Sequence, residues 1–464
     1  MVLAVFVAGV LLRIALLIAY RPAFLGIPDS GTYIDAARGN LLSDPVHPAG
    51  YAFFLRVLHP FPLGLSAVAI LQHALGIVSA LLLFWVGWKA SRQLWVALVP
   101  AAVVLFNGLQ LWTEHTPLSD PLFTFLVAAT LAAAIEAREG RASALVLVGL
   151  LLAAATLVRT VGLLLVPAML GWLLIGMRAQ LRRRAVSALV VLFAALAPLT
   201  AYVALQQHHS GVLGFTEADG RITYAIAAPF ADCSRFTPPA GTRGLCQSTP
   251  AAQRPSVNAY LWGFPDHAAG LVAVNRAAVS PAWREFGPMP HGNGRLASFG
   301  RRAILHQPLD YLSQVADNFS AFWRHGPESF LAAADRADPN VQRAAAAYYS
   351  ERQVSRTGVG VIDWYGHNLE LDGLLVLILL ILSVSPLLAQ QTRGRAVGVL
   401  SAAVGWLLLG GSALVVTDPR YVLPALGPLA VAASIGLAGL LPRLAACIRR
   451  RARTSARRFS RSAA

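Results

Sequence analysis

Long apolar runs joined by short polar connections dominate the chain. Ten of them reach the roughly 17–25 residues that an α-helix needs to cross a bilayer: 1–20, 64–88, 93–110, 120–137, 142–158, 161–177, 186–206, 371–390, 396–417 and 421–441. The fifth and sixth abut at Arg159-Thr160, which predicts a tight hairpin, with one long broken helix as the alternative. The first run has no basic leader and no small-residue cleavage site after it, so it reads as a retained helix and not as a signal peptide. Between the seventh and eighth runs the pattern changes. Residues 207–370 form a polar stretch too long for an idle connection, and it predicts a small separate domain, α or α+β.

Composition supports this reading. The chain is 56% hydrophobic and 13% charged, against about 45–50% and about 25% in soluble globular proteins. Disordered, collagen-like and disulfide-scaffold classes are excluded by the same figures and by a cysteine count of 3. A net charge of +16 would suggest nucleic acid in a soluble protein. In a membrane protein it follows from the bias of Lys and Arg toward cytoplasmic loops, and no nucleic-acid partner is expected. One set of connections holds Lys89, Arg92, Arg138, Arg141, Arg178, Arg182 to Arg184, Arg393, Arg395 and the arginines from Arg443 to Arg461; the other holds only Arg21, Arg38, Arg56, Arg159 and Arg420. The first set is expected in the cytoplasm, with both termini, in a plasma-membrane protein. The basic tail, 442–464, then anchors the topology and adds contact with anionic lipid.

That orientation puts residues 21–63, 111–119, the tip at Arg159, the turn Thr417–Arg420 and the domain 207–370 outside. Cys233 and Cys246 lie within that domain, and two cysteines thirteen apart in an oxidising compartment predict a disulfide. Cys447, on the inside, is expected free. Near 301–323, residues Leu309, Leu312, Val315, Ala316, Phe319, Phe322 and Trp323 recur at helical spacing. They predict a helix lying on the membrane surface, or one covering the core of the small domain.

Arg13 and His73 are the ionisable groups well inside the runs. Arg13, about 10 Å below the end of its helix, can snorkel or serve a site near the outer leaflet, whereas His73 reads as packing. Ion-coupled transport needs titratable groups near the bilayer midplane, and no such set is visible. The carboxylates gather instead at the outer face: Asp29, Asp35 and Asp44, then Glu114 and Asp120, then Asp418. With Arg159 and Arg420 at neighbouring helix ends, they suggest a site at the outer membrane surface. Zincin, P-loop, serine-hydrolase and C-x-x-C signatures are absent.

Pro28-Asp29-Ser-Gly-Thr-Tyr33-Ile-Asp-Ala-Ala, followed by His47-Pro48-Ala-Gly50-Tyr51, resembles the C class of membrane glycosyltransferases (GT-C). More narrowly it resembles the branch of lipid A aminoarabinose transferases and protein O-mannosyltransferases. Thr116-Pro-Leu-Ser-Asp120-Pro resembles the carboxylate-bearing start of that branch's fourth helix, Leu157-Val-Arg159-Thr-Val-Gly162 its fifth-to-sixth helix turn, and Arg420-Tyr421-Val-Leu-Pro424 its R-Y-x-x-P. His306-Gln-Pro308-Leu-Asp-Tyr311 is similar to its surface helix. Residues 207–300 show hardly any likeness. The resemblance implies a sugar donor carried on polyprenyl phosphate and inverting transfer to an envelope glycan, lipid or protein acceptor outside the cytoplasm. No cofactor is expected. Ser30 stands where many of these enzymes carry a second acidic residue, which leaves metal dependence open.

The expected fold is therefore an all-α polytopic, GT-C-like bundle of about ten helices. It divides into a module at 1–206 with its first outer loop at 21–63, an extracytoplasmic domain at 207–370, helices at 371–441 and the tail. Asp29 is the expected general base, since inverting transfer needs one group to accept the acceptor's proton. Arg420 and Arg159 are the expected phosphate ligands. Tyr33, His47, Glu114, Asp120 and Tyr421 are candidate substrate contacts. A flippase for lipid-linked sugars and a non-catalytic scaffold are the rival readings. The first should show repeated halves and polar groups at mid-membrane depth; the second gives no reason for carboxylates and arginines recurring at separate helix ends.

Overall fold

A computed structural model describes residues 1–61, 63–177, 179–264, 275–324, 338–349, 355–356, 360, 364–365, 373–389 and 394–441. Each of the ten apolar runs is helical among the described residues. Six helices are long and apolar enough to cross a membrane, or seven if one bent pair is a single span. The remaining three apolar helices, Ala142–Val158, Thr160–Gly176 and Gly373–Leu388, are shorter. The chain is thus an all-α membrane protein. Its one β ladder is a two-residue antiparallel pairing, Tyr20–Arg21 with Ser355–Arg356, among the described residues.

The first helix, α1 (Val2–Ala19), shows the inversion expected in lipid. Its exposed face is the stripe Leu3, Val7, Leu11, Ile14 and Ile18, while Gly9, Arg13 and Leu16 face the protein. A soluble helix would bury the first set. Two short helices follow, α2 (Pro28–Arg38) and α3 (Gly50–Leu58), and then the long α4 (Leu65–Ser91).

The run expected at 93–110 is not straight. It divides into α5 (Leu94–Phe106) and α6 (Gly108–Glu114), bent by 56°. Asn107 adopts an extended conformation and its side chain accepts the Gln110 amide at 2.9 Å, capping α6. The carbonyls that the break frees are met by side chains: Leu105 O by Arg13 Nη1 at 2.9 Å and Phe106 O by the Tyr365 hydroxyl at 2.7 Å.

The next helices are α7 (Ser119–Ala137), α8 (Ala142–Val158), α9 (Leu165–Gly176) and α10 (Leu181–Ser210). Arg159 is extended and a 3-10 turn, Thr160–Leu164, leads into α9. That turn packs back on α8, as a hairpin requires. α10 outruns its apolar core at both ends, because the arginines of 182–184 and Gln206-Gln207 are good helix formers. At Gly149 α8 meets α10 so closely that a Cβ would lie 2.6 Å from Val191 O.

Beyond α10 a small unit has its own core, formed by α11 (Asp219–Ala227), α12 (Val257–Trp262), α13 (Arg276–Val279), α14 (Pro281–Phe286) and α15 (Asn293–His306) with their loops. Tyr224, Tyr260, Leu296 and Phe299 fill it, and Cys233 and Cys246 are joined by a disulfide. The single surface helix expected near 301–323 is instead two. Residues 301–306 belong to α15, whose Phe299 and Ala303 enter that core, and a new helix, α16 (Pro308–Ala321), starts after Gln307. Pro308 lacks an amide donor and disfavours helix at the residue before it, which is why the break falls there. Leu309 and Leu312 on α16 are exposed, while Asn318 donates to Ala413 O at 2.9 Å.

Next come α17 (Pro339–Tyr349), packed on α2, then α18 (Gly373–Ser383), α19 (Ser385–Leu388), α20 (Arg395–Ala413) and, last among the described residues, α21 (Pro419–Leu441). The tail and Cys447 lie outside the described residues.

Candidate functional site

Four separate segments deliver charged side chains to one end of the bundle. Asp29 sits in the first turn of α2, behind Pro28, where a carboxylate suits the helix N-terminus. Asp120 occupies the equivalent turn of α7. Arg159 is the residue at which α8 ends. Arg420 lies in a 3-10 turn at the start of α21, where the Asp418 side chain accepts its amide at 3.1 Å.

These side chains form one connected cluster. Arg420 Nη2 donates to Asp29 Oδ2 at 2.6 Å, its Nε lies 3.3 Å from Asp418 Oδ2, and its Nη1 is 3.8 Å from Asp120 Oδ2. Arg159 Nη1 donates to Asp120 Oδ1 at 2.7 Å and to Ser119 Oγ at 3.3 Å. The Tyr33 hydroxyl also donates to Ser119 Oγ, at 3.1 Å. Tyr421 underlies both cations, its ring centre 4.5 Å from the Arg159 guanidinium and 5.7 Å from that of Arg420. Asp29 keeps 16% of its side chain exposed, Arg159 18% and Asp418 33%, so the cluster is open along these residues and closes at Asp120, at 1%.

His47 joins from the other side. Asp44 accepts the amides of Val46 and His47 at 2.8 and 3.0 Å and pairs with His47 Nδ1 at 2.9 Å. The imidazole sits 4.7 Å from the Tyr33 ring, which contacts Tyr51 at 4.8 Å. Tyr51 donates to Gln72 Oε1 at 2.5 Å, tying this wall to α4.

The electrostatics follow from the pairing. Burial alone would raise the Asp29 carboxyl, but the charges of Arg420 and His47, the hydrogen bond from Arg420 and the charge of Arg159 outweigh it and hold it at about 2. Burial pulls His47 down, and the Asp44 carboxylate, in charge and hydrogen bond, then Asp29, together raise it above the ordinary value. Burial pushes the Tyr33 hydroxyl up, so it remains a neutral donor. One oxygen each of Asp29, Asp120 and Asp418 faces a guanidinium, Asp120 Oδ2 is buried without a hydrogen-bond partner, Ser30 is fully buried, and among the described residues no three His, Cys, Asp or Glu side chains are grouped as metal ligands.

Of the candidates read from sequence, Asp29, Asp120, Arg159, Arg420, Tyr33, Tyr421 and His47 come together. Glu114 does not join them. It is fully buried beneath the site, where Arg13 contacts both its oxygens (Nη2 to Oε1 at 2.9 Å, Nε to Oε2 at 2.8 Å). His73 Nδ1 lies 2.8 Å from Oε2, Gln110 donates to Oε1 at 3.0 Å, and His73 Nε2 reaches His115 Nδ1 at 3.1 Å. The bundle interior is therefore less empty of charge than the sequence suggested, and Arg13 is buried and paired, not snorkelling. Asp418 and Asp44, read from sequence among the gathered carboxylates but given no role, contribute, as do Ser119 and Gln72, which the sequence reading missed. For Ser119 the available signal was adjacency, one residue before Asp120.

No protein-family model matches the sequence, and no curated protein does. Among solved structures the chain is similar to the archaeal oligosaccharyltransferase AglB from Archaeoglobus fulgidus, in complex with an inhibitory peptide and a dolichol-phosphate. The identity is 12% and the TM-score 0.47, over 95% of this chain and 50% of that one. It is also similar to ArnT from Cupriavidus metallidurans bound to undecaprenyl phosphate, at 15% identity and TM-score 0.36 over 94% and 77% of the two chains. The apo state of that protein gives 16% and 0.37 over 94% and 76%. The chain spans about half the length of the oligosaccharyltransferase.

Proposed function

We propose that the chain is an integral-membrane inverting glycosyltransferase that moves a sugar from a polyprenyl-phosphate donor to an acceptor on the extracytoplasmic side of the plasma membrane. The observation that carries this reading is the convergence of Asp29, Asp120, Arg159 and Arg420 at one end of an apolar bundle. Such a cluster sets a carboxylate beside two guanidinium groups, which is the chemistry that a base and an anionic leaving group call for.

In this reading Asp29 accepts the proton of the acceptor hydroxyl as its oxygen attacks C1 of the sugar. The new C1–O bond forms on the face opposite the phosphate. The C1–O bond to phosphate breaks, and its electron pair leaves on the phosphate oxygen, which Arg420 and Arg159 neutralise without a proton. Unliganded, Arg420 holds Asp29 as a weak base. A donor phosphate competes for that guanidinium and frees the carboxylate. Tyr33 and His47 then line the sugar side. Asp120 is a positioning residue, holding Arg159 from beneath.

The test is incubation of the purified full chain with a panel of polyprenyl-phosphate sugars, following release of polyprenyl phosphate. Release that depends on Asp29 is expected. No release from any member, by folded protein supplied with glycan, lipid and peptide acceptors, counts against the reading.

A further inference from the structure

At the end of the bundle remote from Asp29, about 27 Å along α7 from Asp120, the helices leave a cavity of about 1010 Å³. Four cations border it: Lys89 at the end of α4, Arg138 just beyond α7, Arg184 in the first turn of α10 and Arg395 at the start of α20. Each is half-buried.

Their partners divide them. Lys89 is matched by Glu136 at 2.8 Å. Arg184 donates to the carbonyls of Ala179 and Leu174, at 2.8 and 3.1 Å, and Arg395 to that of Leu387 at 3.3 Å. Arg138 donates to Gly176 O at 2.8 Å and stacks on Trp172 at 4.9 Å. Carbonyls orient the guanidinium groups of Arg184 and Arg395 without cancelling their charge. Glu139, at the rim, is taken by Arg141 at 2.8 Å.

The rest of the wall is apolar, including Trp172 and Ile175. On α9, Gly171 opens on this space, and a Cβ added there would meet nothing within 4 Å. A soluble anion would give no reason for the apolar wall, and an acyl chain none for the arginines. A lipid with an anionic phosphate headgroup satisfies both, as basic pockets between membrane helices do at the cytoplasmic side.

We propose that this cavity is a binding site for an anionic phospholipid, its phosphate between Arg184 and Arg395 and its upper chain against Trp172. The lysine and arginine distribution assigns this end to the cytoplasmic leaflet. The proposal does not depend on the glycosyltransferase reading.

Native mass spectrometry of the full chain in detergent, titrated with phosphatidylglycerol or phosphatidylcholine, reads it directly. Phosphatidylglycerol should bind in preference, and the Arg184→Gln/Arg395→Gln variant should lose about thirtyfold in its affinity, with Arg395→Lys close to wild type. Gly171→Phe keeps every charge but fills the cavity, so it should weaken phosphatidylglycerol while unfolding at the wild-type temperature or above. It decides the matter if the double variant fails to fold. Inorganic phosphate, added against chloride of equal ionic strength, should not displace the lipid. Equal binding of the two lipids, or binding indifferent to Gly171→Phe, overturns the proposal. Displacement by inorganic phosphate overturns it in favour of a small-anion site.

Discussion

Asp29 and Arg420 stand 391 residues apart in the chain and meet at 2.6 Å, so the first short helix of the protein and the last membrane helix among the described residues are joined by a charge pair. The pair is shielded but not sealed, and both partners keep some contact with the outside. A ligand that takes one member changes the other.

The first prediction concerns that release. Asp29→Asn keeps the shape and removes the base, and turnover should fall by about 10²–10⁴-fold, measured as polyprenyl phosphate released. Because the free protein holds Asp29 at about 2, kcat/KM should show no acid limb from it above about pH 3. With donor phosphate occupying Arg420 the carboxyl rises toward its ordinary value of about 3.9, so the acid limb of kcat should lie higher. Limbs at the same pH would count against Asp29 as the group released.

Arg420→Ala should act on both constants, raising KM for the donor and lowering kcat, because a charge-assisted phosphate contact is lost in the ground state and the transition state alike. Arg159→Ala should also cost stability. It leaves Asp120, 1% exposed, with only the 3.8 Å approach of Arg420, and an orphaned buried charge costs about 3–5 kcal/mol. Thermal unfolding in detergent separates the two variants.

The Arg13–Glu114 pair predicts a purely structural effect. Arg13→Met leaves the buried Glu114 carboxylate with only His73 and Gln110 and removes the donor that meets Leu105 O at the break between α5 and α6. A loss of about 3–5 kcal/mol is expected, and Arg13→Met/Glu114→Gln should recover part of it. A double variant less stable than Arg13→Met would refute the pairing.

Gly50 is where α3 rests on the end of α8, and a Cβ there would lie 2.4 Å from Leu157 O. That carbonyl precedes Arg159 by two residues and is backbone, so it cannot swing aside. Gly50→Ala should cost about 1–3 kcal/mol as overpacking and lower activity by shifting His47 against Arg159. Gly171→Ala, into open space, is the control and should be neutral or stabilising.

His47 gives a prediction in pH. Its folded value is raised, so the stabilisation it gains is complete below about pH 6.5 and fades as pH climbs through the higher folded value. The wild type should therefore lose a small increment of Tm between neutral and mildly alkaline pH that His47→Gln does not. Equal slopes for the two proteins would remove the charged His47–Asp44 pair.

Much of the fold was legible because lipid imposes a coarse rule, and an apolar run of sufficient length becomes a helix. What escaped was local or distant. Pro308 and Asn107-Gly108 were visible breakers within longer patterns, and each divides a segment that hydropathy treats as continuous. Glu114 read as a loop carboxylate because nothing in the sequence shows that Arg13, a hundred residues earlier, faces it. The residues of the site were recognisable as charges near helix ends. Their pairing was not, since it depends on how four helix ends are arranged in three dimensions. The Asp29–Arg420 contact, with its effect on the Asp29 carboxyl, is information that only the packed bundle holds.

The shortness of α8 has a further consequence. Its 17 residues span about 26 Å, less than the roughly 30 Å of a bilayer's hydrocarbon core, whereas the neighbouring α10, with 30 residues, reaches about 45 Å. A span shorter than the bilayer is met by thinning of the lipid, by snorkelling of flanking residues or by oligomerisation. On the proposed reading, thinning of a few ångströms beside Arg159 would let a phosphate anchored by a long chain meet the guanidinium groups without its chain being lifted out of the oil.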